Sequence, residues 1–207
     1  MDNYLYKFGK QQHIEEMLKF GRMRIAAASS FDDPSLNLAV RDKELEVSFI
    51  DSSENILIQV VDEQTLEVKR DIAPIGDIQL TLESPSDYYV MCFASIFESR
   101  LFDEFGADAC LIIRDPLRFV TRIFKEIQAR EPKWTGRATF VTYYNPQSPE
   151  VLPKSVFFYK DNSYKYQQEY RIVFRPSMSV RTLEPIFIEM GNLEDYCELV
   201  NLESVRY

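Results

Sequence analysis

Short apolar runs with a period of two recur along most of this chain, and that alternation limits the folds open to it. VSFI (47–50), ILIQVVD (56–62), LEVKR (66–70), DIQLTL (77–82) and YYVMCFAS (88–95) each place every second residue on one side, as a strand requires. The first runs are separated by the turn-like DSSEN and DEQT. ACLIIR (109–114), RATFVTYY (137–144), SVFFY (155–159), YQQEYRIVF (166–174) and PIFIEM (185–190) continue the pattern, and YLYKF (4–8) and RMRIAAA (22–28) begin it. Fifteen Phe and twelve Tyr against one Trp favour strands over a helical bundle.

Helical spacing interrupts the strands at few places. In QQHIEEMLKFG (11–21), Ile14, Met17 and Leu18 share a face, and Gly21 sits where a left-handed cap belongs. ESRLFDEFG (98–106) reads as a short helix ending at Gly106, and 36–46 as a helix anchored by Leu36, Val40 and Leu45. The clearest helix is DPLRFVTRIFKEIQAR (115–130), with Asp115 as N-cap, Pro116 in the first turn and a stripe of Leu117, Val120, Phe124 and Ile127. The expectation is one α+β domain over residues 1–207, with a peripheral β insertion at about 47–82.

Charge and residue usage remove several functions. A formal charge of −9 repels phosphate backbones, which argues against a broad grip on nucleic acid. Three cysteines at wide spacing and a single histidine, His13, provide no zinc pattern and no Ser–His–Asp or Cys–His scheme. Cys92, Cys110 and Cys197 read as reduced, mostly buried thiols of a cytoplasmic protein. None of the six glycines falls in a phosphate-cradling motif. MDNYLYKF shows no signal-peptide pattern, and no apolar run approaches a membrane span.

Asp32 and Asp33 precede Pro34, where backbone-bonding turns use such residues, and Glu98, Asp103 and Glu104 read as a solvated helix face. YKYQQEYRIVF (164–174) is the stretch that raises a chemical question, because alternation puts Gln167, Glu169 and Arg171 on one side of a strand. A solvated edge carrying a Glu–Arg pair is one reading. The other is a fixed carboxylate that bonds a ribose hydroxyl and stabilises positive charge at a glycosidic carbon, with Gln167 orienting the nucleophile.

LYKF followed by a helix and ASSFDDP, then MCFAS with LFDEFGADACLII, then FFYKDNSYKYQQEYRIVF, span residues 4–174. In that order they resemble the signatures of the bacterial family called domain of unknown function twenty-nine seventy-one. Phe102 and Tyr164 stand where that family carries Trp, and Gln167 where it carries the first Glu of Glu-x-Glu. The layout is also similar to the ADP-ribosyltransferase superfamily, and this implies a split β-sheet core and an NAD-dependent mono-ADP-ribosyltransferase. The resemblance makes Glu169 the catalytic carboxylate and Gln167 its substrate-orienting partner. It places Tyr6, Lys7, Ser30, Phe31, Ser95, Tyr164 and Arg171 around NAD. By family association the chain would be a bacterial toxin or antiviral defence effector. Its acceptor would be a protein, or a short single-stranded nucleic acid held by a basic lip of Arg22, Arg24 and Lys154. Two other readings remain open: a non-catalytic relative that binds a nucleotide or protein, and a structural or inhibitory protein that docks through exposed strands. The β insertion is the expected protein-contact surface.

Overall fold

Alternation in the 88–95 run builds the strand around which the fold is organised. In the computed structural model, which describes residues 4–205, this is β7 (Tyr89–Ala94). Tyr89, Met91 and Phe93 point to one face, and Tyr88, Val90 and Ala94 to the other. Along one edge the whole of β7 pairs antiparallel with residues 169–174 of β12 (Glu169–Arg175), which in turn pairs with β9 (Thr135–Phe140). Along its other edge two strands share it. β2 (Arg22–Ala27) joins at Tyr89 and Val90, whereas β1 (Leu5–Gly9) joins at Ala94. β1 leads on to β8 (Ala109–Ile113) and β14 (Cys197–Asn201), and β2 to β13 (Ile186–Glu189). The eight-stranded sheet is therefore forked, and α1 (Gln11–Phe20) connects the two prongs.

The two faces of the sheet are covered differently. On one face α1 and α3 (Pro116–Arg130) bury Ile14, Met17, Phe119, Ile123 and Ile127 against Met91, Phe93, Leu111, Ile172 and Phe174. Each of these large side chains contributes about 1.5–3 kcal/mol relative to exposure. The other face carries two smaller clusters. One contains Val47, Phe49, Tyr88, Phe158 and Val173; the other joins Phe8 and Cys110 to Leu101 and Phe102 of α2 (Arg100–Glu104). The helix signals hold: Asp115 accepts from the Arg118 N–H at 3.0 Å, and Gly21 takes φ 60° as the cap of α1. The stripe assigned to α3 was partly misplaced. Leu117 is 79% exposed, and the deepest line is Phe119, Ile123 and Ile127, with Val120 and Phe124 packed at its side. Leu117 lies in the first turn, on the side of the helix away from buried Phe119.

Other expectations need correction. Residues 36–46 form turns rather than a helix; Asn37 Oδ1 accepts from the Val40 N–H and closes a local turn that competes with helix growth. The 137–144 run breaks at Val141 into β9 and β10 (Thr142–Tyr144), and 155–159 supplies only the start of β11 (Tyr159–Asp161), which pairs parallel with β10. β14 and α4 (Leu202–Val205) were not anticipated. The insertion is two successive antiparallel ladders: β3 (Glu46–Asp51) with β6 (Ile78–Glu83), then β4 (Ile58–Val61) with β5 (Val68–Ile72). The architecture is α+β, with several antiparallel sheets and few helices. The three cysteines are free thiols, and among the described residues no helix is long and apolar enough to cross a membrane.

Candidate functional site

Glu169 begins β12 because the chain before it is held in a different conformation. Asp161 accepts from the Ser163 N–H at 2.7 Å and starts a 3-10 helix over Asn162–Gln167. Gln168 ends that helix in the left-handed region at φ 42°, and the extended strand starts one residue later. Gln167 therefore does not share a strand face with Glu169, as alternation had implied. The two meet through Lys160 of β11, whose ammonium donates to Gln167 Oε1 at 3.2 Å and to Glu169 Oε2 at 3.0 Å. The Gln167 amide in turn donates to the Ala39 carbonyl at 2.8 Å.

The solvated-edge reading of Glu169 and Arg171 also fails. β12 is an interior strand, and the two side chains are 4% and 1% exposed. Arg171 Nε donates to Glu169 Oε1, and its terminal nitrogens hold both oxygens of Glu44 at 2.7 Å. Asp42 lies 3.3 Å from Lys160 and 3.8 Å from Arg171. Arg171 and Lys160 hold the Glu169 carboxyl well below the usual carboxylate range, overcoming the burial that raises it. Glu44 goes the other way. Its burial outweighs Arg171 and pushes its carboxyl up to about 7.

A cavity of about 440 Å³ runs through the fork, and Tyr6, Lys7, Phe31, Gln167, Glu169 and Lys160 are on its wall. Lys7 alternates with Tyr6 and Phe8, so it leaves β1 on the helix-covered face, the face opposite Glu169. Both side chains line the cavity, but they reach it from opposite faces of the sheet. Lys7 instead turns into the fork and donates to the Cys92 carbonyl at 2.9 Å, a group with no strand beside it there. Burial lowers the Lys7 pKa, while Cys92 and Glu169 act against that shift.

Four of the residues assigned to NAD stand elsewhere. Ser30 bonds the Ala27 carbonyl at 2.7 Å and is not on the cavity wall. Ser95 donates through N–H and Oγ to the Gln168 carbonyl, at 2.9 and 2.8 Å, and so pins the turn that precedes Glu169 without touching its carboxylate. Tyr164 lies under the Lys160 ammonium and donates to the Arg41 carbonyl, on the wall of a second cavity of about 430 Å³. Arg171 is behind the wall, as the support of Glu169. Of the basic lip, Arg22 and Arg24 flank the first cavity, whereas exposed Lys154 lines neither. Exposed His13 also lines the first cavity.

Lys160, Glu44 and Asp42 carried no role in the sequence reading. A lysine following the aromatic run FFY was the available signal for Lys160; nothing local marks Glu44, whose partner is 127 residues away. No family model, curated protein or solved structure matches this chain.

Proposed function

We propose that this chain is an NAD-dependent mono-ADP-ribosyltransferase whose donor site is the cavity through the fork, and that its forked sheet corresponds to the split sheet of that superfamily. The observation that carries the reading is Glu169: an ionised carboxylate fixed at a strand start, on the wall of a cleft of about 440 Å³. That volume lies in the range of small-molecule sites. In a chain of charge −9, the cleft is nonetheless flanked by Arg24, a cation suited to a diphosphate, whereas Lys10 and Arg22 beside it are paired with Asp108 and with Glu16 and Glu189. Breaking the ribose–nicotinamide bond sends its electron pair to the pyridine ring and leaves an oxocarbenium-like carbon. A fixed anion lowers the energy of that carbon without reorganising. The acceptor's lone pair then forms the new bond, and the acceptor's proton passes to solvent. Lys160 donates to both Glu169 and Gln167 and so fixes the two relative to one another.

A second reading, a nucleotide-binding relative without turnover, is favoured by the cation on each oxygen of Glu169 and by the engagement of Lys7 with Cys92. One experiment separates the two. The protein is incubated with NAD, released nicotinamide is quantified, and NAD binding is measured by calorimetry. A transferase releases nicotinamide, and Glu169→Gln lowers the rate by ~10²–10³ when compared at a temperature where both proteins are folded. Arg24→Ala, an exposed substitution at the rim, weakens NAD binding without disturbing the fold. Binding without release supports the second reading, and absence of binding at millimolar NAD excludes both.

A further inference from the structure

The outer part of the insertion is a surface whose composition names its partner. β4 and β5 pair with each other, and among the described residues no further strand joins either outer edge. An isolated two-stranded hairpin is only marginally stable in water, and an uncovered edge is a template for another strand. Apolar side chains are abundant there. Leu57, Leu66 and Ile75 are fully or mostly exposed, Val68 is exposed, and Ile58 faces Ile72 across the ladder with both in solvent. Exposed apolar residues gathered on one element, unlike ones scattered singly, point to a contact surface. The charge around it is one-sided. Residues 62–77 carry Asp62, Glu63, Glu67, Asp71 and Asp77 against two cations, Lys69 and Arg70, and Lys69 is already paired with Asp62 at 2.7 Å.

We infer that the β4–β5 hairpin docks an extended, basic segment of another protein, which adds to its edge as a further strand. Main-chain bonds to the free edge would supply a generic part of the affinity, and alternate apolar side chains would cover Ile58 and Ile72 on one face of the ladder or Val61 and Val68, shifted by the bulge, on the other. Basic residues between them would meet the acidic rim. A second copy of this chain is disfavoured as the occupant, since it would bring the same acidic rim and a charge of −9 against itself. The inference is independent of the chemistry proposed for the fork, because no residue of 47–82 lines that cavity.

The test uses the full chain and a fluorescent peptide of alternating Val and Lys, read by anisotropy, beside a Gly–Lys peptide of equal charge and a Val–Glu peptide. The Val–Lys peptide is expected to bind best, by at least about tenfold over either control, and to weaken as salt rises. The double substitution Ile58→Asn, Val68→Asn should reduce its affinity about tenfold while leaving the thermal unfolding of the body unchanged. Equal binding of the Gly–Lys peptide would reduce the effect to bulk charge and overturn the inference, as would no binding. A concentration-dependent dimer that the double substitution abolishes would assign the surface to a second copy instead.

Discussion

Asp42, Glu44 and Glu169 share two close cations, Arg171 and Lys160; all but Asp42, which is partly exposed, are buried. Three carboxylates against two cations leave a surplus negative charge. Glu44 is where the cluster relieves it, with burial as the largest cause and Asp42 and Glu169 adding to the shift. Its folded pKa of about 7 lies above the unfolded value, so the stability linked to its proton is fully present below about pH 4.5 and is lost as pH rises through 7. Glu169 has the opposite sign: its contribution is present above the unfolded value and disappears only in strong acid. Unfolding free energy of the wild type should therefore fall between about pH 5 and 8, by on the order of 3 kcal/mol, relative to Glu44→Gln. Urea titrations at several pH values check this, and parallel curves for the two proteins would refute it. Lys160→Met tests the same cluster from the cation side. It leaves Glu169 and Asp42 short of a partner and should cost about 3–5 kcal/mol in the same titrations at pH 7.5.

Among the elements, α3 shows how a correct helix can carry a misassigned face. Its period is plain in the sequence, but four apolar positions on one side, Leu117, Val120, Phe124 and Ile127, compete with Phe119, Ile123 and Ile127 on a neighbouring side. The sheet settles which is deepest: Phe119 and Ile123 are fully buried, and Phe119 packs edge-on against Phe93 at 5.5 Å. Phe119→Ala should cost about 3–5 kcal/mol in unfolding free energy, whereas Leu117→Ala should stay within about 0.5 kcal/mol. Comparable losses from the two would reject this packing. Caps and glycines were legible because their chemistry is local, as at Asp115 and Gly21. The fate of 36–46 was not, because what holds that segment is remote: Gln167 takes the Ala39 carbonyl, Lys160 takes Asp42 and Arg171 takes Glu44. β12 lies between these cases. Its alternation marked Glu169 and Arg171 as one face, but a left-handed residue at Gln168, which no glycine announces, removed Gln167 from the strand.

At the scale of the whole molecule, the fork comes from ladder register, which no short stretch of sequence expresses. β1 and β2 meet β7 at Ala94 and at Tyr89–Val90, and the gap between those contacts is the cleft. The insertion lies apart from it, yet its two ladders differ in what they do for the fold. The β3–β6 ladder is part of the body: Val47 and Phe49 are buried and Leu82 packs with them against Tyr88 and Val173. Removing it would open that cluster. The β4–β5 hairpin buries no side chain in the body, and its polar bonds, such as Gln59 to Asp71 at 3.0 Å, stay within itself. The point at which to cut is thus beyond Asp51, which pairs with Ile78, rather than inside β3. Replacing residues 54–76 with a short Gly-Ser turn should leave the melting temperature within a few degrees of the wild type, because little apolar burial is lost. NAD affinity should also be unchanged, since the cavity wall is intact, while binding of the basic strand peptide should disappear. Calorimetry for NAD and anisotropy for the peptide read these two outcomes on the same preparation. Loss of NAD binding in a shortened protein that still unfolds cooperatively would mean that the hairpin supports the cleft, and the division of the chain into body and docking arm would be wrong.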